Sequence, residues 1–220
     1  MSKPFTEDDL SAFFNSELTW RRKELSDLKA AVKTADIPAQ GVLLKSIVSM
    51  SYAHWEGYVK ACANKYFEHL SIRRKSYNEL ERQIYINSFL VRLDALHKSR
   101  LNIKDRCQLV IDILDNKNSR FAYINPDLVD TKSNLNSEVM SEICLICGIS
   151  PEHFINNKTF IDVMLLKRRN AIAHGQQESI DARDVDDLIA ECLALMEVFK
   201  GLLENKVYTK AYSAGNELNP

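Results

Sequence analysis

The sequence predicts an all-α protein, a compact bundle of six to seven helices. Three observations predict it. Nearly every segment of the 220-residue chain carries apolar residues at the helical period of about 3.6. No segment shows the sustained apolar–polar alternation of a half-buried strand. Only 6 Gly and 5 Pro interrupt the chain, so long structureless stretches are not expected. The length suits one domain with a sizeable core, expected over 1–220. Within it we expect an N-terminal helix and linker at 1–38, a main bundle at 39–210 and a flexible tail at 211–220.

The first helix is expected from Thr6 to about Thr34, with Asp8 and Asp9 at its positive dipole end. Phe14, Leu18, Leu25, Leu28 and Val32 supply its apolar side, and Ile37-Pro38 ends it. A second helix is expected from about Gln40 to Leu70, with Val48, Trp55, Val59, Cys62 and Tyr66 on one stripe. A third follows Ser76 and reaches about Ser99, and a fourth covers Lys104 to Asp115. NKNSRFAYINPDLVDTKSNLN then reads as a long connection rich in turn-forming Asn, Asp and Ser. Loops of this length in compact domains commonly carry function. Ser137 is expected to cap a short helix that ends at Cys147, with Gly148 as its stop. Ser150-Pro151-Glu152 opens another short turn, and Thr159 opens an apolar helical segment. Asp181 caps the last long helix, whose inner face carries Val185, Leu188, Ile189, Cys192, Leu195, Met196, Phe199 and Leu203.

Composition narrows the function. Apolar residues make up 45% of the chain and charged residues 27%, as in ordinary globular proteins. With 29 basic and 30 acidic side chains the net charge is -1, so any nucleic-acid role must rest on a local basic patch. MSKPFTEDDL has no apolar core of a secretory signal, and no apolar run approaches the roughly 18 to 20 residues that span a bilayer. The odd count of 5 cysteines, in apolar contexts, suits free thiols in a cytoplasmic protein.

Several local patterns invite chemical readings. Cys144-Leu-Ile-Cys147 is a lone C-x-x-C inside an apolar helix. Zinc would need two more ligands at suitable spacing, so core packing explains the pair better. Arg21-Arg22-Lys23 and Arg73-Arg74-Lys75 read as solvated helix surface and a charged turn. His69 and His97 read as solvent-facing caps. SYAHWEGYVK, from Ser51 to Lys60, is less ordinary, because a mid-helix glycine costs about 1 kcal/mol relative to alanine. Gly57 would allow another helix to approach, and Glu56 would then meet a cation from it, Arg168 or Arg169. The other reading makes Trp55 and Tyr58 packing aromatics and Glu56 plain surface.

The sharpest pattern is KRRNAIAHG, from Lys167 to Gly175, which follows the apolar FIDVMLL. On one straight helix Arg169 and His174 differ by about 140° around the axis. If the helix ends at Gly175, both side chains can be brought towards one cleft. The C-terminal dipole favours a protonated imidazole there. Lys167, Arg168 and Arg169 form a field suited to phosphate, and Asn170 can donate to an oxygen. A basic helix end with a His-Gly cap accounts for the same residues without any ligand.

Arg169-Asn-Ala-Ile-Ala-His174 resembles the Arg-x(4–6)-His signature of the HEPN superfamily, the higher eukaryotes and prokaryotes nucleotide-binding domains. The polar residue after the arginine, here Asn170, is also typical. YAHWEGYVK and SNLNSEVMSEICLICGIS look like segments of a stand-alone bacterial HEPN nuclease branch, so the resemblance spans roughly Val42 to Leu203. It implies a two-fold homodimer that cleaves RNA without a metal or other cofactor. The resemblance carries over to Arg169, Asn170 and His174 alone, which would be catalytic; by their charge Lys167 and Arg168 would hold the RNA phosphates, and by its place beside Gly57 Glu56 would give support. It further implies a toxin or anti-phage defence effector with a cognate antitoxin or defence-system partner. One branch carries a modified tyrosine two residues after the histidine, where this chain has Gln176.

That chemistry is physically coherent. RNA supplies its own nucleophile in the ribose 2′-OH. A neutral imidazole can take its proton, and an imidazolium can protonate the departing 5′-oxygen. One histidine cannot begin a turnover in both states, whereas two copies facing each other can divide the roles. Two other readings stand beside the enzyme: a non-catalytic HEPN-like module that binds nucleotide or RNA, and an all-α adaptor.

Overall fold

The computed structural model describes residues 3–98 and 102–215; the side chains of His97 and Lys98 and residues 216–220 lie outside that set. Eight α-helices stand among the described residues, and no strand, so the all-α expectation holds. Helix α1 is Glu7–Thr34, α2 Ile37–Ile72, α3 Arg82–Lys98 and α4 Ile103–Asp115. After the long connection come α5 Ser137–Cys147, α6 Glu152–Asn156, a π-helical segment Phe160–Lys167 running directly into α7 Arg168–Ala173, and α8 Val185–Tyr208.

Capping chemistry sets the boundaries. The Thr6 hydroxyl accepts the Asp9 N–H at 3.0 Å while the Asp9 carboxylate accepts the Thr6 N–H at 2.9 Å, a reciprocal capping box. Pro38 does not merely end α1. Asp36 caps the following helix by accepting the Ala39 N–H at 3.0 Å, and Pro38 sits in its first turn, where a missing N–H costs nothing. The second helix therefore begins three residues before the expected Gln40. Asn136, not Ser137, caps α5, accepting the Val139 N–H at 2.8 Å. Asp181 caps a 3-10 turn, Ala182–Asp184, that leads into α8.

Helices α1, α2 and α8 pack on one another and carry most of the core. Trp55, Tyr58, Phe14, Phe67, Phe154 and Phe199 are among its largest fully buried side chains. Each such side chain contributes roughly 1.5–3 kcal/mol by leaving water. Tyr85, Phe89 and Leu109 form a smaller cluster between α3 and α4.

Two expectations are corrected here. The segment from 211 to 215 is not a free tail: Tyr212 is 2% exposed, its carbonyl accepts the Glu81 N–H at 2.8 Å, and Ala214 N–H donates to the Glu79 carbonyl at 3.1 Å. Its two buried apolar residues, Ala211 and Tyr212, gain by covering the core, and 216–220 fall outside the described residues. His69 is not a solvent-facing cap. It is fully buried, and its Nδ1 lies 2.9 Å from the Pro4 carbonyl, which can only accept, so Nδ1 carries the proton. The imidazole of His97 lies outside the described residues.

Gly148 does more than stop α5. Its φ of 65° completes the cap, with Gly148 N–H donating to the Leu145 carbonyl and Ile149 N–H to the Cys144 carbonyl, each at 3.0 Å. A Cβ there would also lie 2.5 Å from Lys206 Nζ and 2.7 Å from a Glu81 carboxylate oxygen. The vacant volume houses a buried ion pair, Lys206 to Glu81 at 2.7 Å.

Candidate functional site

The Arg169 side chain is the centre of the site. Its guanidinium carbon lies 4.1 Å from the centroid of the Tyr52 ring, within cation–π range. Nη2 donates to the Ser133 carbonyl at 2.9 Å and stands 4.0 Å from Glu56 Oε2, the outer limit of an ion pair. Nε is buried without a hydrogen-bond partner among the described residues. Glu56 and Tyr52 sit four residues apart on α2 and so share a face. Asn170 donates weakly to Asn134 Oδ1 at 3.3 Å. Two adjacent motif residues are thus tied to two adjacent residues of the long connection.

That connection is built under strain. Lys132 and Ser133 have φ of 53° and 55°, left-handed values that residues with a Cβ seldom adopt. The cost is of order 1–3 kcal/mol each and persists only where the surroundings enforce it. Here they do. Lys132 N–H donates to Asp130 Oδ1 at 2.8 Å, Asn134 N–H to the Thr131 carbonyl at 3.0 Å, and Leu135 N–H to the Tyr52 hydroxyl at 2.6 Å. Burial pushes the Tyr52 phenol up from its ordinary value, the Leu135 N–H and Arg169 opposing, so it stays protonated at neutral pH.

The π-helical segment carries the motif into this position. Such wide turns are rare and cluster at functional sites. Ile161 and Leu165 are buried in the core, while Asp162 accepts the Ser137 N–H and hydroxyl, each at 2.7 Å. Asp162 thereby fastens the segment to the first turn of α5, where the dipole favours its charge.

The other expected site residues fall as follows. His174 closes α7 as its C-terminal cap and is exposed; its imidazole makes no hydrogen bond or ion pair among the described residues. Lys167 is exposed, and Arg168 Nε lies 3.4 Å from Glu178 Oε1. The structure therefore brings Arg169, Glu56 and Asn170 together with Tyr52 and the 133–135 turn. It gives His174 no contact with Arg169. Glu56 meets Arg169, but Gly57 is not the cause. A Cβ on Gly57 would lie 3.2 Å from Arg21 Nη2, so the glycine makes room for α1.

Arg21 itself corrects the reading of a solvated triplet. It is 5% exposed, pairs with Glu17 at 2.6 Å and lies over the rings of Trp20 and Tyr58. The Cys144 and Cys147 thiols are fully buried, and burial pushes Cys144 up to about 12 and Cys147 well above its ordinary value. Neither is a ready thiolate. Among the described residues no group of three or more His, Cys, Asp or Glu side chains is placed to hold a metal. Tyr52, Ser133 and Leu135 escaped sequence reasoning. The i, i+4 spacing of Tyr52 and Glu56 was the available signal for the first, and the length of the connection for the other two.

This all-α bundle is consistent with a chain of the HEPN type. The RiboL-PSP-HEPN family model matches residues 16–205, and the chain belongs to that family. Neither a curated protein nor a solved structure matches it. HEPN domains are often RNases, commonly bind RNA and commonly dimerise, so the family directs attention to RNA-related chemistry. No helix among the described residues is long and apolar enough to cross a membrane.

Proposed function

We propose that this protein is an endoribonuclease that cleaves RNA by attack of the ribose 2′-OH on the adjacent phosphate, without a metal or other cofactor. Arg169 stabilises the negative charge that builds on the phosphorane oxygens. Asn170 orients the phosphate, and Lys167 and Arg168 hold the RNA backbone, Arg168 by exchanging Glu178 for phosphate. Glu56 supports Arg169 from α2. His174 takes the proton from the 2′-OH in one subunit of a two-fold dimer, and its copy protonates the leaving 5′-oxygen.

The observation that carries this reading is the fixed placement of Arg169. Its guanidinium is stacked and hydrogen-bonded, five residues before an exposed histidine, in a chain of a family rich in RNases. A toxin or anti-phage defence effector, acting in the cytoplasm and restrained by an antitoxin or defence-system partner, is the biological setting that follows. The test is incubation of the purified protein with mixed cellular RNA in EDTA, beside His174→Ala. The expected result is cleavage that leaves 2′,3′-cyclic phosphate or 3′-phosphate ends, and resistance of a substrate with 2′-deoxyribose at the cut. Activity that requires Mg²⁺, or that survives His174→Ala intact, would overturn this mechanism, and no cleavage at all would turn the reading to a binding module or adaptor.

A further inference from the structure

We propose that Tyr52 is the positioning residue for Arg169, joining it to the strained 131–135 turn; this rests on the nuclease reading for its consequence, not for its geometry. Tyr52 is 2% exposed, so it does not touch RNA and is not catalytic. It acts through two atoms groups at once. Its ring lies under the Arg169 guanidinium at 4.1 Å, and its hydroxyl accepts the Leu135 N–H at 2.6 Å. Two residues before Leu135, the Ser133 carbonyl accepts Arg169 Nη2 at 2.9 Å. One side chain thus sets the floor under the guanidinium and also holds the turn that supplies its hydrogen-bond acceptor.

An arginine needs such a holder here. Its side chain has many rotamers, and its Nε is buried without a partner among the described residues, so hydrogen bonding at Nε does not fix it. The Glu56 carboxylate at 4.0 Å is too distant to set an angle. Stacking on the ring and the bond to Ser133 fix the plane of the guanidinium and leave its partly exposed edge for an incoming phosphate oxygen. Lys132 and Ser133 hold left-handed backbone angles that would relax without restraint, so losing the hydroxyl bond at Leu135 would move the Ser133 carbonyl.

The experiment compares Tyr52→Phe and Tyr52→Leu with the parent by two readouts. The first is steady-state cleavage of a short RNA. Tyr52→Phe keeps the ring and loses the bond to the turn; kcat should fall by up to about tenfold with little change in KM, the scale of one hydrogen bond. Tyr52→Leu loses both and should approach the loss seen in Arg169→Ala. The second readout is the Arg169 Nε–H signal in nitrogen-15 NMR, assigned by its disappearance in Arg169→Lys. It should exchange slowly in the parent, shift in Tyr52→Phe and collapse to the free-arginine position in Tyr52→Leu. An unchanged Nε–H signal in both variants would overturn the proposal. A parent that cleaves no RNA while the signal still follows Tyr52 would leave the positioning role intact and remove the nuclease reading alone.

Discussion

At the scale of single residues, the site and the core depend on different properties of the same few side-chain types. His174 is exposed and unbound, as a proton carrier must be, while His54 and His69 are buried. His174→Ala is expected to lower the cleavage rate by about two orders of magnitude or more, the usual contribution of acid–base catalysis, without lowering the melting temperature. Arg169→Ala should lose a comparable amount in kcat through the phosphorane charge. Gly148 illustrates the opposite kind of residue. Gly148→Ala would force a Cβ into the Lys206–Glu81 pair at a φ of 65°, and should cost about 2–4 kcal/mol in urea unfolding. A variant as stable as the parent would show that the pair can move aside.

At the scale of elements, helix boundaries follow caps, and caps are where the sequence was most and least legible. Thr6, with Asp8 and Asp9 behind it at the dipole end, reads directly as a helix start, and α1 begins beside it. Ser137 reads as a cap with equal force, yet its hydroxyl is drawn away by Asp162, 25 residues later, and Asn136 caps instead. No local rule contains that competition. The π-helical segment was likewise hidden, because FIDVMLL fits any buried helix, whatever its hydrogen-bond spacing. Asp162→Ala should remove both bonds to Ser137 and destabilise the protein by about 1–3 kcal/mol. If the loss instead stays near zero in chemical denaturation, α5 and the π segment are held by apolar packing alone.

At the scale of the whole molecule, the amphipathic stripes of α1, α2 and α8 sufficed to foresee an all-α core, whereas the site joins parts of the chain that no stripe connects. Arg169, Asn170 and His174 stood out by spacing, but Tyr52 and Ser133 are brought to Arg169 only by the packing of α2, α7 and the long connection. The charge state of that packing is testable. Burial lowers the affinity of His54 and His69 for protons below the ordinary value of 6.5. Glu24 and Arg21 face His54 with opposite effects; Arg73 adds to the lowering at His69, while Pro4, Glu7 and Asp9 oppose it. The unfolded chain then binds more protons than the folded one as pH falls below 6.5, so folding stability should decline there. Denaturation midpoints measured across that range should flatten in His54→Gln and His69→Gln; parallel curves would assign the acid sensitivity elsewhere. The division of proton transfer between two copies of His174 also requires a homodimer. Sedimentation showing only monomer alongside full activity would contradict it.

The wide-turned helix before the motif has one more consequence, and it concerns chain length. Each residue of a regular α-helix advances about 100° around the axis. Removing one residue from Phe160–Lys167, for instance the 44% exposed Val163, would let the segment close into ordinary helix, and the tighter winding would offset most of the lost residue's turn. Arg169 would then stay near its place over Tyr52, and Arg168 near Glu178. Such a deletion should leave helical content unchanged by circular dichroism and lower cleavage far less than Arg169→Ala does. In this stretch one residue is spare to the register of the motif.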